Sequence, residues 1–208
     1  MEDADYIRFI HDMFEFNDTK AVVKIYEVKT GNSEVPLPNI RQKQEPRELL
    51  VDILAFCLMP NHFHLMLRQR VDGGVTKFMR KLGTGYTNYF NQKYARVGAL
   101  FQGVYKMTHI NRESHFIYLP FYIHLNPLDM VEPKWREGEI MDFNKTVNFL
   151  ESYRWSSYMD YIGKKNFPSV TQREFLMKFF GGSKQYGEDT LKWLRDMNLA
   201  GIKGVLME

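Results

Sequence analysis

Cysteine is almost absent: Cys57 is the only one in 208 residues, so no disulfide can close within the chain and a Cys-rich zinc site is excluded. Long apolar runs are missing as well, and nothing approaches the roughly 20 residues of a membrane span. There is no internal repeat, no low-complexity tract and no HExxH zinc helix. The opening MEDADYIRF is acidic and lacks the basic-then-apolar order of a secretory signal. These absences predict a cytoplasmic chain without membrane partners. One further absence is local: no acidic residue occurs from position 77 to 96.

Hydrophobic residues make up 44%, aromatics 15% and charged residues 25%, the balance of a globular chain. Its length allows one domain with an appendage, or two small domains. A net charge of +3 and a pI of about 8.8 permit nucleic-acid binding without requiring it. Within the acid-free stretch lie Lys77, Arg80, Lys81, Lys93 and Arg96. Such a run is either a solvated helix face or a surface for a polyanion.

Residues 5–16 (DYIRFIHDMFEF) carry apolar side chains at helical spacing after an acidic start. Residues 21–28 read as a short strand, and 31–46, rich in Gly, Pro, Asn and Gln, as a loop. A strongly apolar strand is predicted over 49–59, a turn at Met59-Pro60-Asn61, and a return strand over 62–68. Residues 75–94 predict a long helix weakened by Gly83 and Gly85. A strand over 104–110 and an aromatic helix over 113–126, stopped by Pro127, follow. Helical patterns then recur over 144–162, 171–180 and 184–197. This order predicts an α+β core with a helical C-terminal extension.

Two short segments hold the chemistry. In MPNHFHLML, His62 and His64 are two apart on a strand and therefore share a face, with Phe63 on the other. They are either neighbouring structural histidines or two ligands of one divalent ion. In FYIHLNP, Tyr122 and Asn126 share a helix face while His124 points away. Asn126 can offer an amide oxygen to a hard cation beside Tyr122 as nucleophile, or simply end an aromatic core helix before Pro127.

With LFQGVYK, YIHLNPLDMV and YRWSSYMDYIG, the histidine block resembles the single-tyrosine transposases of the HUH endonuclease superfamily, closest to the REP-associated tyrosine transposase branch. The four blocks occur in the family's order and extend to about Phe180. The resemblance implies an antiparallel, ferredoxin-like HUH core over 1–130 with helices packed on it, and a helical extension over 131–208. It implies that His62, His64 and Asn126 bind Mg²⁺ or Mn²⁺ and that Tyr122 is the nucleophile. Cleavage would leave a 5′-phosphotyrosine and a free 3′ hydroxyl on single-stranded DNA near a hairpin. Phosphate and amide oxygens favour a hard cation over zinc.

Lys77, Arg80, Lys81, Lys93 and Arg96, interleaved with Tyr86, Tyr89, Phe90 and Tyr94, would contact that strand. A homodimer is one of the family's arrangements. Two departures are legible. Relatives begin with a strand carrying a Tyr-His or Asn-Arg-Gly pattern, which is expected to be missing here. The block after the tyrosine also reads Asn126-Pro127-Leu128-Asp129-Met130, where many relatives have an Arg-Ala-Gly sequence. The alternative is therefore an inactive or domesticated relative that binds hairpin nucleic acid without cleaving it. A metal hydrolase without a tyrosyl intermediate is the remaining reading.

Overall fold

A computed structural model describes residues 2–20 and 46–195. The strand expected over 21–28, the loop expected over 31–46 as far as residue 45, and the end of the helical pattern over 184–197 lie outside the described residues.

The architecture is α+β. Strands β1 (Val51–Leu58) and β2 (Phe63–Gln69) form an antiparallel hairpin, closed by the Met59 N–H donating to the His62 carbonyl at 2.8 Å. The register slips between Ile53 and Ala55, leaving Leu54 as an extra residue. This bulge re-phases the strand. Val51, Ile53, Phe56 and Leu58 pack in one core with α1 (Asp3–Glu15) and α2 (Gly74–Lys93). Leu54, Ala55, Cys57 and Met59 pack in a second with α3 (Glu113–Leu125) and the C-terminal helices. Every β1 residue is buried, which explains a run that is apolar at every position except Asp52. Each fully buried Ile, Leu or Phe contributes about 1.5–3 kcal/mol, so a hairpin covered on both faces persists where a bare one would not.

At the start of β1, the Asn17 amide takes the place of a neighbouring strand. It donates to the Val51 carbonyl at 2.8 Å and accepts from the Val51 N–H at 3.0 Å. Buried Asp52 is held by Arg68 and Arg70 at 2.6 and 3.0 Å.

α1 crosses α2 where the latter is thinnest. A Cβ on Gly85 would lie 2.2 Å from the Phe16 ring, whereas one on Gly83 would meet nothing within 4 Å. The two glycines that weaken the helix in isolation therefore differ in role. Gly83→Ala is expected to stabilise the fold by about 0.5–1 kcal/mol, and Gly85→Ala to destabilise it by about 1–3 kcal/mol through overpacking. Urea unfolding of the two variants should show midpoints moving in opposite directions.

Two sequence expectations are corrected. The strand over 104–110 does not form. Val104 and Met107 are 87% and 66% exposed, and no strand among the described residues runs beside them to complete a ladder. The pattern over 144–162 is two helices, α4 (Phe143–Ser152) and α5 (Tyr158–Tyr161), rather than one. The chain between them is drawn onto the open edge of β1. There the Leu58 N–H donates to the Trp155 carbonyl at 2.8 Å, and the Ser157 N–H to the Phe56 carbonyl at 3.0 Å. An orphaned strand edge is costly when buried, and this segment satisfies it better unwound than helical. α6 (Glu174–Phe179) and α7 (Ser183–Arg195) then cover the outer face of α3, with Phe121 stacked on Tyr186 at 4.8 Å.

Candidate active site

The β2 pleat sends Phe63, Leu65 and Leu67 toward the core of α1 and α2. His64 lies opposite Cys57, on the side of the sheet that meets α3. His62 sits at the turn, exposed, with its Nδ1 2.8 Å from Asn61 Oδ1. The two imidazoles lie edge to face, 4.9 Å between centroids, and the His64 ring is 5.7 Å from that of Tyr122. The hairpin and α3 thus bring His62, His64 and Tyr122 into one place.

Asn126 follows one helical turn later, and its side-chain amide donates to the Tyr122 carbonyl at 2.8 Å. That bond turns Oδ1 the other way, where it accepts from the Arg136 guanidinium at 3.0 Å. Arg136 stands on a 3₁₀ turn (Trp135–Glu137), ion-paired with Asp129 and 5.4 Å from the Tyr122 ring centre. Burial opposes its charge, but hydrogen bonding and charge from Asp129, and then Tyr122, hold its pKa above the ordinary value. Tyr118, one turn before Tyr122 and 5.7 Å from it ring to ring, has a buried hydroxyl without a partner among the described residues.

Burial, the neighbouring His62 and the Arg136 charge press the His64 pKa down to about 4, against the pull of Asp129. His64 is therefore neutral near pH 7, the form in which imidazole ligates a metal. The donor chemistry fits a divalent ion at the histidine pair, with the Asn126 oxygen as third donor once Arg136 releases it. Among the described residues, no three His, Cys, Asp or Glu side chains gather into a metal site. The amide oxygen is consequently the donor that would complete the set.

His124 faces away from this cleft. It is fully buried, with Nδ1 2.7 Å from Tyr186 Oη and Nε2 2.7 Å from Ser157 Oγ. It joins α3 to α7 and to the β1 edge. Burial lowers its pKa to about 3. A histidine buried neutral binds fewer protons folded than unfolded, so its contribution is present above pH 6.5 and is lost as pH falls toward 3. Stability of the wild type is expected to drop by a few kcal/mol across that window, and His124→Gln should flatten the slope in pH-dependent denaturant titrations.

The basic stretch is less free than its sequence suggests. Lys93 bonds Asp5 of α1 at 2.7 Å and Glu2, the residue that caps α1, at 2.9 Å. Burial would raise the Asp5 carboxyl, but hydrogen bonds from Lys93, Tyr94, the Glu2 N–H and Tyr89 hold it at about 2. Lys81 donates to the Asp18 and Lys20 carbonyls, Lys77 to that of Asp72, and Arg96 lies 5.7 Å from the Phe90 ring centre. Arg80 lines an open groove on α2. Tyr86 is buried, and Tyr89 and Tyr94 hydrogen-bond Asp5.

Sequence reasoning missed Arg136 and Asp129. They lie in polar turns without periodicity, and only the folding back of the chain after Pro127 aims them at Tyr122. Tyr118 could have been found, since it precedes Tyr122 by one helical turn on the same face.

Residues 38–126, under half of the chain, match the family model described as transposase IS200 like. That segment is similar to the IS200-like transposases. It ends on Asn126 and contains His62, His64 and Tyr122, so the family match and the clustered side chains fall on the same residues. The likeness supports a DNA partner and a DNA transposase activity. No curated protein and no solved structure matches the chain significantly. No helix among the described residues is long and apolar enough to cross a membrane.

Proposed function

We propose that the chain is a REP-associated-type DNA strand transferase that cleaves and rejoins single-stranded DNA near hairpins through a 5′-phosphotyrosine on Tyr122. The observation that carries this reading is the Tyr122 ring standing 5.7 Å from His64, with the Arg136 cation 5.4 Å away. A Mg²⁺ or Mn²⁺ ion held by His62, His64 and Asn126 would supply Lewis-acid polarisation of the scissile phosphate. The chain's own groups do the rest. The Tyr122 oxygen gives its proton to solvent and forms the new O–P bond as the bond from phosphorus to the 3′ oxygen breaks; that oxygen takes a proton from solvent to become the free hydroxyl, and the bond energy is conserved for rejoining. Arg136 stabilises the phenolate as it develops and is placed to meet phosphate charge. Packing of Tyr118 against Tyr122 holds the ring's approach.

A second reading, DNA binding without cleavage, is favoured by one observation. Tyr122 is only 5% exposed and the Asn126 oxygen is bonded to Arg136, so the site must open before it can act. Incubating the protein and Mn²⁺ with pooled single-stranded hairpins, then sequencing whatever is attached to protein, separates the two. A tyrosine-linked 5′ end supports cleavage. Retained DNA without any adduct across the pool supports binding alone.

A further inference from the structure

The LFQGVYK block has no part in the chemistry above, yet Leu100 and Phe101 separate two hollows beside the site. The first, about 170 Å³, lies at the β1–β2 turn and is walled by Phe9, Phe63, Tyr86 and Phe90, with Asn61 and His62 at its polar end. The second, a shallower groove of about 350 Å³, runs along α2 past Arg80, Thr84, Thr87 and Asn88. Both are lined by Leu100 and Phe101. Phe101 is only partly buried, its ring 5.9 Å from Phe63 and 6.4 Å from Tyr86.

We propose that the hollow at the hairpin turn is a nucleobase pocket and that Phe101 is the ridge over which a DNA strand passes from His62 to Arg80. The proposal rests on the transposase reading and assigns the substrate's path through that site. Its volume exceeds the ~150 Å³ cavity that takes a benzene ring, and its aromatic walls offer stacking to any base. The first hollow shares His62 with the candidate metal pair, so a base seated there belongs to a nucleotide next to the scissile phosphate. Asn61 and His62 can meet a base edge. Along the second hollow, beside Met79, Leu100 and Phe101, the hydroxyls of Thr84 and Thr87, the Asn88 amide and the Arg80 guanidinium suit a phosphodiester backbone.

The test uses fluorescence anisotropy with an oligothymidylate and an oligonucleotide of equal length made of abasic sites. Wild type should bind the first at least about tenfold more tightly. Phe101→Ala should shrink that preference to about twofold or less, and Phe101→Trp should keep it. Arg80→Ala should weaken both equally and reduce the salt slope by about one. A 2-aminopurine placed in the oligothymidylate should be quenched on binding wild type, a readout that does not depend on the stability of any variant. Equal affinity for the two oligonucleotides, or no quenching at any position, overturns the pocket while leaving the transposase reading standing. Failure to bind either oligonucleotide overturns both.

Discussion

Tyr122→Phe is expected to abolish covalent attachment of DNA, lowering adduct yield by about 10³-fold or more. The substitution removes one oxygen and the hydrogen bond it shares with Arg136, and leaves the ring in place. The ring's neighbours, His64 at 5.7 Å, Tyr118 at 5.7 Å and the Arg136 cation at 5.4 Å, all touch its faces or edges. The fold and the affinity for single-stranded DNA should therefore stay within about twofold of wild type, since no backbone or phosphate contact is lost. Denaturing electrophoresis of labelled DNA reports the adduct, and anisotropy reports binding. An adduct that survives the substitution would place the nucleophile elsewhere.

His64→Ala should show the second large effect, this time on metal. With the half-buried neutral imidazole gone, Mn²⁺ affinity measured by calorimetry is expected to fall by about 10–100-fold, and adduct yield with it. Arg136→Met should move affinity the other way. It removes the guanidinium that holds the Asn126 oxygen at 3.0 Å and repels a second cation. Its adduct yield should still drop, because the same guanidinium faces Tyr122. If neither substitution changes Mn²⁺ affinity, the histidine pair and the asparagine are not the metal's ligands.

The hairpin, α1, α2 and α3 were all legible because each carries a long periodic or nearly unbroken apolar signal. The candidate site was partly legible for the same reason: His62, His64, Tyr122 and Asn126 stand in compact blocks whose spacing places side chains on shared faces. The 3₁₀ turn carrying Arg136 has no such signal. Nor does 153–157, whose residues follow a helical pattern yet serve as a partner for β1. The acid-free run was legible, but its charge balance was not, because Glu2 and Asp5 reach Lys93 from the far end of the chain.

The sequence by itself determined the hairpin, the helices α1 to α3, the pairing of the two histidines and the family that residues 38–126 resemble. Those depend on local spacing and short motifs, which a linear chain carries openly. Only the tertiary structure decided that Arg136 sits beside Tyr122 and holds the Asn126 oxygen, that Lys81 and Lys93 turn inward, and that Phe101 divides an aromatic hollow from a groove that carries Arg80. Each of these is a contact between segments without a common period. Such contacts follow from which buried groups must be satisfied once the core has closed.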